Sequence, residues 1–141
     1  MKVLFVCTGN TCRSPMAESI AKSLSHEHEF ASRGISAMDG AETSTNTLKV
    51  IQTYELKPVS NASLFTQNDL EYDLILTMTA SHKNYVKALF PNDKTYTLIE
   101  YVNGVSQDIM DPYGGSYPIY EATYFELKQH IEKLIAKLSE K

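Results

Sequence analysis

Cysteine, arginine and serine residues near the N-terminus are spaced in a way that suits phosphate chemistry. Five residues separate Cys7 from Arg13, and Ser14 follows directly. A cysteine thiolate can attack phosphorus, and the planar guanidinium of an arginine can hold two phosphate oxygens. Gly9 and Asn10, which lie in between, are residue types that tolerate the positive φ angles of a tightly curled loop. The spacing indicates a loop that binds an oxyanion beside a nucleophile; the alternative is a structural turn that contains a cysteine by chance.

The position of this loop in the chain strengthens the first interpretation. Residues 2–6 form a continuous apolar run, which is typical of a strand buried on both faces. Ser14 and Pro15 are typical of a helix start, with Ser14 as N-cap and Pro15 as the first helical residue. Main-chain N–H groups and the helix dipole at such a junction attract anions. The same field favours the thiolate form of Cys7, to which the Ser14 hydroxyl can donate a hydrogen bond.

Strands and helices alternate along the rest of the chain. Predicted strands cover residues 2–6, 29–35, 72–78 and 95–99, and predicted helices cover residues 15–24, 45–56, 82–90 and 118–138. This order predicts an α/β fold in one domain of residues 1–141, a three-layer sandwich with a four-stranded parallel sheet and helices on both faces. Sites in such folds lie at the carboxyl ends of strands, which is where Cys7 stands.

The composition argues against several classes of partner. The 141 residues carry a formal net charge of -4, with 43% hydrophobic and 21% charged residues. Nucleic acids and anionic membranes are usually bound through a basic face, so we expect no nucleic acid and no membrane partner. No apolar run reaches the length of a membrane span, and the N-terminal residues lack the features of a signal peptide. A cytoplasmic location is therefore the default expectation.

The cysteines and histidines indicate neither a disulfide framework nor a metal centre. The two cysteines lie only five positions apart, unlike those of a secreted disulfide scaffold. The four histidines are scattered and have polar neighbours, and we expect them on the surface: His26, His28, His82 and His130. We therefore predict no metal and no other cofactor.

Three segments of the chain resemble a known enzyme family. The segment VCTGNTCRSPMAE at residues 6–18 is similar to the phosphate loop of the low-molecular-weight protein tyrosine phosphatases. DPYGGS at residues 111–116 stands where that family keeps its catalytic acid. SRG at residues 32–34 partly matches the family's SAG stretch, with Arg33 in place of the usual alanine. The resemblance covers essentially the whole chain and implies the phosphotyrosine phosphatase I-like fold.

The resemblance also implies catalytic roles for three residues. Cys7 would be the nucleophile that forms a phosphocysteine, and Arg13 would hold the phosphoryl oxygens. Asp111 would protonate the leaving group and later activate water. From the residues alone, Asp111 is equally a turn-forming aspartate before proline, and Asp108 is a rival carboxylate. The other loop and rim residues are expected to bind substrate: Thr8, Gly9, Asn10, Thr11, Cys12, Ser14 and Tyr113.

Two of these residues bear on the choice of substrate. Tyr113 is expected beside the substrate side chain, and its alternative is packing on Tyr117 or Tyr120. Thr11 stands where most tyrosine phosphatases of the family carry isoleucine, and a threonine there resembles the branch that acts as protein arginine phosphatases. A hydroxyl can hydrogen-bond a polar substrate atom, whereas isoleucine suits a phenyl face; alternatively, Thr11 is merely a β-branched packing residue. We expect phosphorylated proteins or peptides as substrates, with phosphoarginine preferred, phosphotyrosine as the alternative, and phosphate or other oxyanions as inhibitors.

The second cysteine predicts sensitivity to oxidation. Cys12 is close enough to Cys7 along a curled loop for a reversible disulfide that protects the nucleophile. Its alternative is a small buried apolar residue. Two other functional classes share features of this pattern. A thioredoxin-linked arsenate reductase would need further cysteines after Cys12, and a non-catalytic phosphate-binding module would be expected to lack the nucleophile or the acid.

Overall fold

A four-stranded parallel sheet forms the centre of the computed structural model, which describes residues 1–139. Its strands are β1 (Lys2–Cys7), β2 (Glu29–Gly34), β3 (Leu74–Thr77) and β4 (Thr95–Thr97). They lie in the order β2-β1-β3-β4, and every neighbouring pair is parallel. The predicted four-stranded parallel sheet is thereby confirmed.

Helices cover both faces of this sheet. They are α1 (Arg13–Leu24), α2 (Thr45–Thr53), α3 (Ala80–Leu89), α4 (Leu98–Asn103) and α5 (Tyr117–Leu138), with a short 3-10 helix at Gln67–Glu71. Side chains of α1, α2, α4 and α5 pack with Val3 and Phe5 on one face. Val86 of α3 packs with Leu4 and Val6 on the other face. These three layers confirm the predicted sandwich.

Strand β1 is the interior strand that leads to the predicted site. Residues 3–6 have no exposed surface, because strands flank them on both sides and helices cover both faces. Burial of each such side chain stabilises the fold by roughly 1.5–3 kcal/mol. β1 ends at Cys7, which pairs with Gly34 at the end of β2. Cys7 therefore lies at the carboxyl edge of the sheet.

Helix α1 begins one residue before the predicted N-cap, so the assignment of Ser14 as N-cap is wrong. Cys12 occupies the N-cap position and makes no side-chain capping hydrogen bond. Pro15 is the third helical residue rather than the first, still within the first turn, where a missing N–H leaves no bond unmade. The Ser14 hydroxyl lies instead 2.9 Å from Cys7 Sγ. The N-terminus of α1 is thus left without a side-chain cap.

The segment after β4 differs most from the sequence prediction. A strand is predicted over residues 95–99, but β4 ends at Thr97 and α4 follows at once. Thr97 Oγ1 accepts from the Glu100 N–H at 3.1 Å, and a Glu100 carboxylate oxygen accepts from the Thr97 N–H at 2.8 Å. This reciprocal capping box starts a helix. A similar pairing of Thr66 with Asp69 starts the 3-10 helix, which the sequence analysis does not predict.

The remaining elements match their predictions with shifted ends. The strand predicted over residues 29–35 ends at Gly34, and the strand predicted over residues 72–78 covers Leu74–Thr77. The helix predicted over residues 45–56 covers Thr45–Thr53, and the helix predicted over residues 82–90 covers Ala80–Leu89. Helix α3 starts early because Thr79 Oγ1 accepts from the His82 N–H at 3.1 Å, which caps it.

Helix α5 is the longest helix and closes one face of the sheet. It buries one stripe, made of Tyr120, Thr123, Tyr124, Leu127, His130, Ile131 and Leu134. Among the helices of residues 1–139, none is both long and apolar enough to cross a bilayer. The predicted domain of residues 1–141 includes two C-terminal residues that lie outside the described part of the chain.

Candidate active site

The turn between β1 and α1, residues 7–14, is called the site loop below. It curls because Asn10 adopts the left-handed conformation, with φ of 56°. Gly9, the other residue whose type tolerates a positive φ, does not adopt one. Asparagine tolerates the left-handed region because its short side chain can hydrogen-bond locally.

The amide of Asn10 ties the site loop to its surroundings. Its Nδ2 donates to Ser14 Oγ at 2.8 Å and to Ser32 Oγ at 2.9 Å. Its Oδ1 accepts from the Ser63 N–H at 2.9 Å. Ser32 Oγ in turn donates to Oε1 of the buried Glu18 at 2.6 Å. Each polar atom of the Asn10 side chain thus has a partner, which stabilises one conformation of the loop.

Gly34, at the end of β2, allows the site loop to lie directly against the sheet. A Cβ at this position would lie 2.5 Å from the Thr8 carbonyl oxygen and 2.8 Å from the Asn10 nitrogen. Both distances are too short for any side chain. The glycine of the SRG segment is therefore required by the close approach of two backbones.

The site loop turns carbonyl groups outward and keeps its N–H groups free. The carbonyls of Cys7, Thr8 and Thr11 accept from the N–H groups of Ile35, Ser36 and Ser44, respectively. Over residues 1–139, no main-chain N–H of residues 8–14 donates to a carbonyl in a loop, turn or helix cap. Such N–H groups at a helix N-terminus form a site for an anion.

The Cys7 sulfur is held by a hydroxyl at the base of the loop. Cys7 is only 3% exposed, yet it lines a cavity at the carboxyl edge of the sheet. Its Sγ lies 2.9 Å from Ser14 Oγ, which already accepts from Asn10. A thiolate at Cys7 has no hydrogen to donate, so its hydrogen bond with Ser14 uses the single hydroxyl hydrogen of Ser14, for which the Arg33 carbonyl at 3.3 Å is the other acceptor. The hydroxyl thus offers a hydrogen-bond donor to the sulfur at the base of the loop.

Arg13 connects the site loop to the segment that carries Asp111. Its side chain is almost fully buried. Its Nη1 donates to the Ile109 carbonyl at 3.0 Å, and its Nη2 lies 3.5 Å from Asp111 Oδ2. The guanidinium therefore has a fixed orientation at the cavity wall, where its charge can stabilise an anion.

The structure separates the two candidate carboxylates. Asp111 lines the cavity, its side chain is 53% exposed, and its Oδ1 accepts from the Tyr113 N–H at 3.0 Å. This hydrogen bond forms the aspartate turn, which is the alternative role of Asp111 in the sequence analysis. Asp111 therefore forms the turn and also lines the cavity. Asp108 does not line the cavity, and its Oδ1 accepts from the Ala80 N–H at 2.9 Å.

One cavity of about 230 Å³ brings together most of the predicted site residues. Its lining consists of Cys7, Thr8, Gly9, Thr11, Cys12, Arg13, Asp111 and Tyr113. The two remaining predicted residues, Asn10 and Ser14, lie outside this lining and hold the loop in shape. Tyr113 is 80% exposed, so its ring stands free beside the cavity. The guanidinium of Arg13 and the free N–H groups of the site loop make this cavity suitable for an oxyanion.

The sequence analysis misses His82, which touches the site loop from α3. His82 Nε2 lies 2.8 Å from Thr8 Oγ1, and the residue is 5% exposed. Burial, reinforced by the charge of Arg13, lowers the pKa of His82 from its ordinary 6.5 to about 4, and the carboxylates of Asp108 and Asp111 oppose this shift. The imidazole is therefore neutral at physiological pH.

The expectation that the histidines lie on the surface is wrong for two of the four. His82 and His130 are buried, on α3 and α5 respectively. The sequence contains a pattern that indicates burial of His82, because it stands four positions before Val86, which is also buried on α3. Residues four apart share one helix face.

Cys12 is a free thiol at the same cavity as Cys7. Its Sγ lies 3.5 Å from the Tyr120 hydroxyl and 3.8 Å from Thr11 Oγ1. Burial, followed by the hydrogen bond with Cys12, raises the pKa of Tyr120 to about 12. Neither cysteine is part of a disulfide in the structure, and both line the same cavity.

Arg33, the departure from the family's SAG segment, makes its ion pair away from the cavity. Its Nε lies 3.2 Å from Asp69 Oδ1, and its guanidinium stands 5.9 Å from the centre of the Tyr72 ring. Its main-chain carbonyl lies 3.3 Å from Ser14 Oγ. The substitution thus adds an ion pair with the 3-10 helix while the backbone keeps its contact with the site loop.

Comparison with known proteins identifies close relatives over the whole chain. A family model described as low molecular weight phosphotyrosine protein phosphatase matches residues 2–141. A relative from Staphylococcus epidermidis, named low molecular weight protein-tyrosine-phosphatase PtpB, is 46% identical over 135 residues, which cover 95% of this chain and 96% of the relative.

Solved structures show the same fold. The YwlE arginine phosphatase from Geobacillus stearothermophilus superposes with a TM-score of 0.94 at 36% identity, covering 97% of this chain and 92% of that one. A YwlE arginine phosphatase mutant with a phosphorylated active site serine superposes with a TM-score of 0.96 at 35% identity, covering 99% and 97% of the two chains.

Proposed function

Because the chain is a cysteine-based protein phosphatase and belongs to the low molecular weight phosphotyrosine protein phosphatase family, we propose that it removes phosphate from phosphoarginine residues of proteins. In this proposal Cys7 is the nucleophile, Arg13 holds the phosphoryl group, and Asp111 is the acid and base. The observation that carries the choice of substrate is the Thr11 hydroxyl at the cavity wall.

The first step transfers the phosphoryl group to sulfur. The Cys7 thiolate attacks phosphorus in line, a P–S bond forms, and the P–N bond to the guanidine breaks. Asp111, protonated, gives its proton to the departing nitrogen. Arg13 and the free N–H groups of the site loop stabilise the phosphoryl oxygens, so this step uses only groups of the chain.

The second step releases phosphate. Water attacks phosphorus in line, and the Asp111 carboxylate accepts the proton from that water. The P–S bond breaks, and its electron pair returns to Cys7 as a thiolate, which the Ser14 hydroxyl stabilises at 2.9 Å. The phosphorylated serine in the active site of a similar arginine phosphatase supports a covalent intermediate at the corresponding place.

The lining of the cavity supports a polar substrate side chain. Thr11 Oγ1 lies 3.6 Å from where a Cβ at Gly9 would stand, so the hydroxyl stays close to the loop backbone. Thr8 brings a second hydroxyl, and Asp111 brings a carboxylate. Hydroxyl and carboxylate oxygens can accept hydrogen bonds from a guanidine, which has several N–H groups. The neutral His82 behind Thr8 adds no positive charge that would repel it.

Phosphotyrosine is the alternative substrate, and a specific observation favours it. Tyr113 is exposed beside the cavity, where its ring could stack on a phenyl group. The relative from Staphylococcus epidermidis is named a protein-tyrosine-phosphatase, and its identity of 46% exceeds that of the arginine phosphatases. The two substrates therefore have to be compared directly.

The test is a comparison of kcat/KM on two peptides that differ only in phosphoarginine or phosphotyrosine at one position. We expect the parent to prefer phosphoarginine. Thr11→Val removes the hydroxyl and keeps the branched shape, and Thr11→Ile adds the apolar arm. Each should lower the phosphoarginine to phosphotyrosine ratio by about tenfold, the loss of one hydrogen bond.

Two outcomes would count against the proposal. A parent that prefers phosphotyrosine makes phosphoarginine the wrong substrate. An unchanged ratio in both Thr11 variants makes Thr11 a packing residue. Cys7→Ser serves as the blank for both peptides, because it removes the nucleophile and leaves the fold of the site loop.

A further inference from the structure

His82 reaches the site loop through a single side-chain hydrogen bond. Its Nε2 and Thr8 Oγ1 are 2.8 Å apart, although the two residues are 74 positions apart in the sequence. The imidazole is buried, whereas Thr8 is exposed and lines the cavity. The pair therefore connects the interior of the fold to the wall on which the substrate would lie.

The other ring nitrogen decides the direction of this hydrogen bond. Within the described residues, Nδ1 of His82 is buried and has no hydrogen-bond partner. An N–H buried without an acceptor is tolerated less well than an acceptor without a donor. Because the ring is neutral, it carries one hydrogen only. That hydrogen lies on Nε2, so His82 donates and Thr8 Oγ1 accepts.

We infer that His82 is a positioning residue, which fixes the Thr8 hydroxyl as a hydrogen-bonding group for the substrate. After accepting from His82, Thr8 Oγ1 keeps its own hydrogen and one lone pair. The hydrogen can bind a phosphoryl oxygen, and the lone pair can accept from an N–H beside the phosphorus. Phosphotyrosine has no such N–H, so the contact favours phosphoarginine; this preference rests on the proposed function.

The benefit of such positioning is entropic. An exposed threonine hydroxyl samples several rotamers, and a substrate that binds it has to select one of them. A buried imidazole with a fixed ring selects the rotamer beforehand and reduces the entropy lost on binding.

The rival explanation is that His82 only packs α3 against the sheet. The cap of α3 does not depend on the imidazole, because Thr79 Oγ1 accepts from the main-chain N–H of His82. Substitutions of the His82 side chain therefore leave this cap in place. A packing role and a positioning role can be separated by their coupling to Thr8.

The experiment is a double-mutant cycle on the full chain with the two peptides. Thr8→Val, His82→Leu and the double variant are compared with the parent by kcat/KM, and thermal unfolding checks the fold. We expect each single variant to lose about tenfold on the phosphoarginine peptide and less on the phosphotyrosine peptide, and the double variant to lose no more than either. His82→Gln places an amide nitrogen where Nε2 stands and should restore most of the activity.

If the losses of the two single variants multiply, so that the double variant loses about a hundredfold, the inference is overturned and His82 has a packing role. The inference is also overturned if the His82→Gln variant folds but its kcat/KM is as low as that of His82→Leu. If His82→Leu does not fold, ¹H–¹⁵N spectra of the parent imidazole decide, since hydrogen on Nδ1 contradicts the inference and hydrogen on Nε2 supports it. If the parent does not turn over phosphoarginine, the proposed function fails. The double-mutant cycle on the phosphotyrosine peptide then tests the coupling of His82 and Thr8 separately, and multiplying losses again contradict it.

Discussion

Nη2 of Arg13 lies 3.5 Å from Oδ2 of Asp111, so the proposed phosphoryl clamp touches the proposed proton donor. The other terminal nitrogen, Nη1, donates to the Ile109 carbonyl at 3.0 Å and holds the guanidinium in place. A phosphoryl dianion that enters the cavity competes with Asp111 for the positive charge of Arg13. Substrate binding therefore weakens the contact between Arg13 and Asp111 and frees the Asp111 carboxyl group to approach the leaving nitrogen.

Asp111→Asn tests this role without changing the shape of the loop. Asparagine keeps an oxygen that can accept from the Tyr113 N–H, but it cannot transfer a proton. We expect kcat on the phosphoarginine peptide to fall by about 10²–10⁴-fold, which is the usual contribution of general acid–base catalysis. Asp108→Asn is the matched control and should retain most of the activity. A larger loss for Asp108→Asn than for Asp111→Asn would reverse the assignment.

Gly34→Ala tests the close approach of β2 to the site loop. The new Cβ would lie 2.5 Å from the Thr8 carbonyl oxygen, so the backbone has to move. We expect the free energy of unfolding to drop by about 1–3 kcal/mol and inorganic phosphate to bind more weakly. Gly9→Ala is the control for stability, because its nearest neighbour, Thr11 Oγ1, is 3.6 Å away. Equal stability of the two variants, measured by denaturant unfolding, would show that Gly34 is not required.

The buried His82 predicts that acid destabilises the fold. Its pKa is lowered from 6.5 to about 4 in the folded protein, so the unfolded chain binds more protons between these two pH values. Stability is therefore greatest above pH 6.5 and declines as the pH falls towards 4, by on the order of 3 kcal/mol from this residue. Glutamine does not bind a proton in this pH range, so His82→Gln should show a flatter profile of unfolding free energy against pH. Parallel profiles for the two proteins would contradict the prediction.

Cys12→Ser tests protection of the nucleophile against oxidation. Peroxide converts the Cys7 thiolate to a sulfenic acid, and the Cys12 thiol then displaces water from that sulfur to form a disulfide. We expect the parent to regain most of its activity when a thiol is added after peroxide. Cys12→Ser should regain little, because Cys7 is oxidised further. Full recovery of the serine variant, relative to its own untreated rate, would mean that Cys12 does not protect Cys7.

The sequence predicts the site loop well because its signals are local. The apolar run of β1 and the spacing from Cys7 to Arg13 stand within 12 consecutive residues, and the short loop brings them together without help from distant segments. Ser14 shows the limit of local signals. Serine before proline is typical of a helix start, but the hydroxyl contacts Cys7 Sγ and Asn10 Nδ2, and α1 begins before it.

Contacts between distant segments could not be predicted in this way. No periodicity links His82 to Thr8, because their contact depends on how α3 packs beside the end of β1. The helix after β4 is a different case. Thr97 and Glu100 carry a capping-box pattern in the sequence, yet the apolar residues Leu98 and Ile99 extend the strand pattern across it. Both of these residues are buried on α4, where they face the core.

The place of β1 inside the sheet has a consequence for synthesis of the protein. Cys7 is synthesised before the segments that shape its loop, because the Asn10 side chain needs the Ser63 N–H as a partner. The Arg13 side chain obtains its partner even later, because it donates to the carbonyl of Ile109. A nascent chain that ends before these residues carries an exposed reactive thiol in an unformed turn. Catalytic competence therefore arises only after the segment that carries Ile109 and Asp111 has been made and has joined the earlier ones.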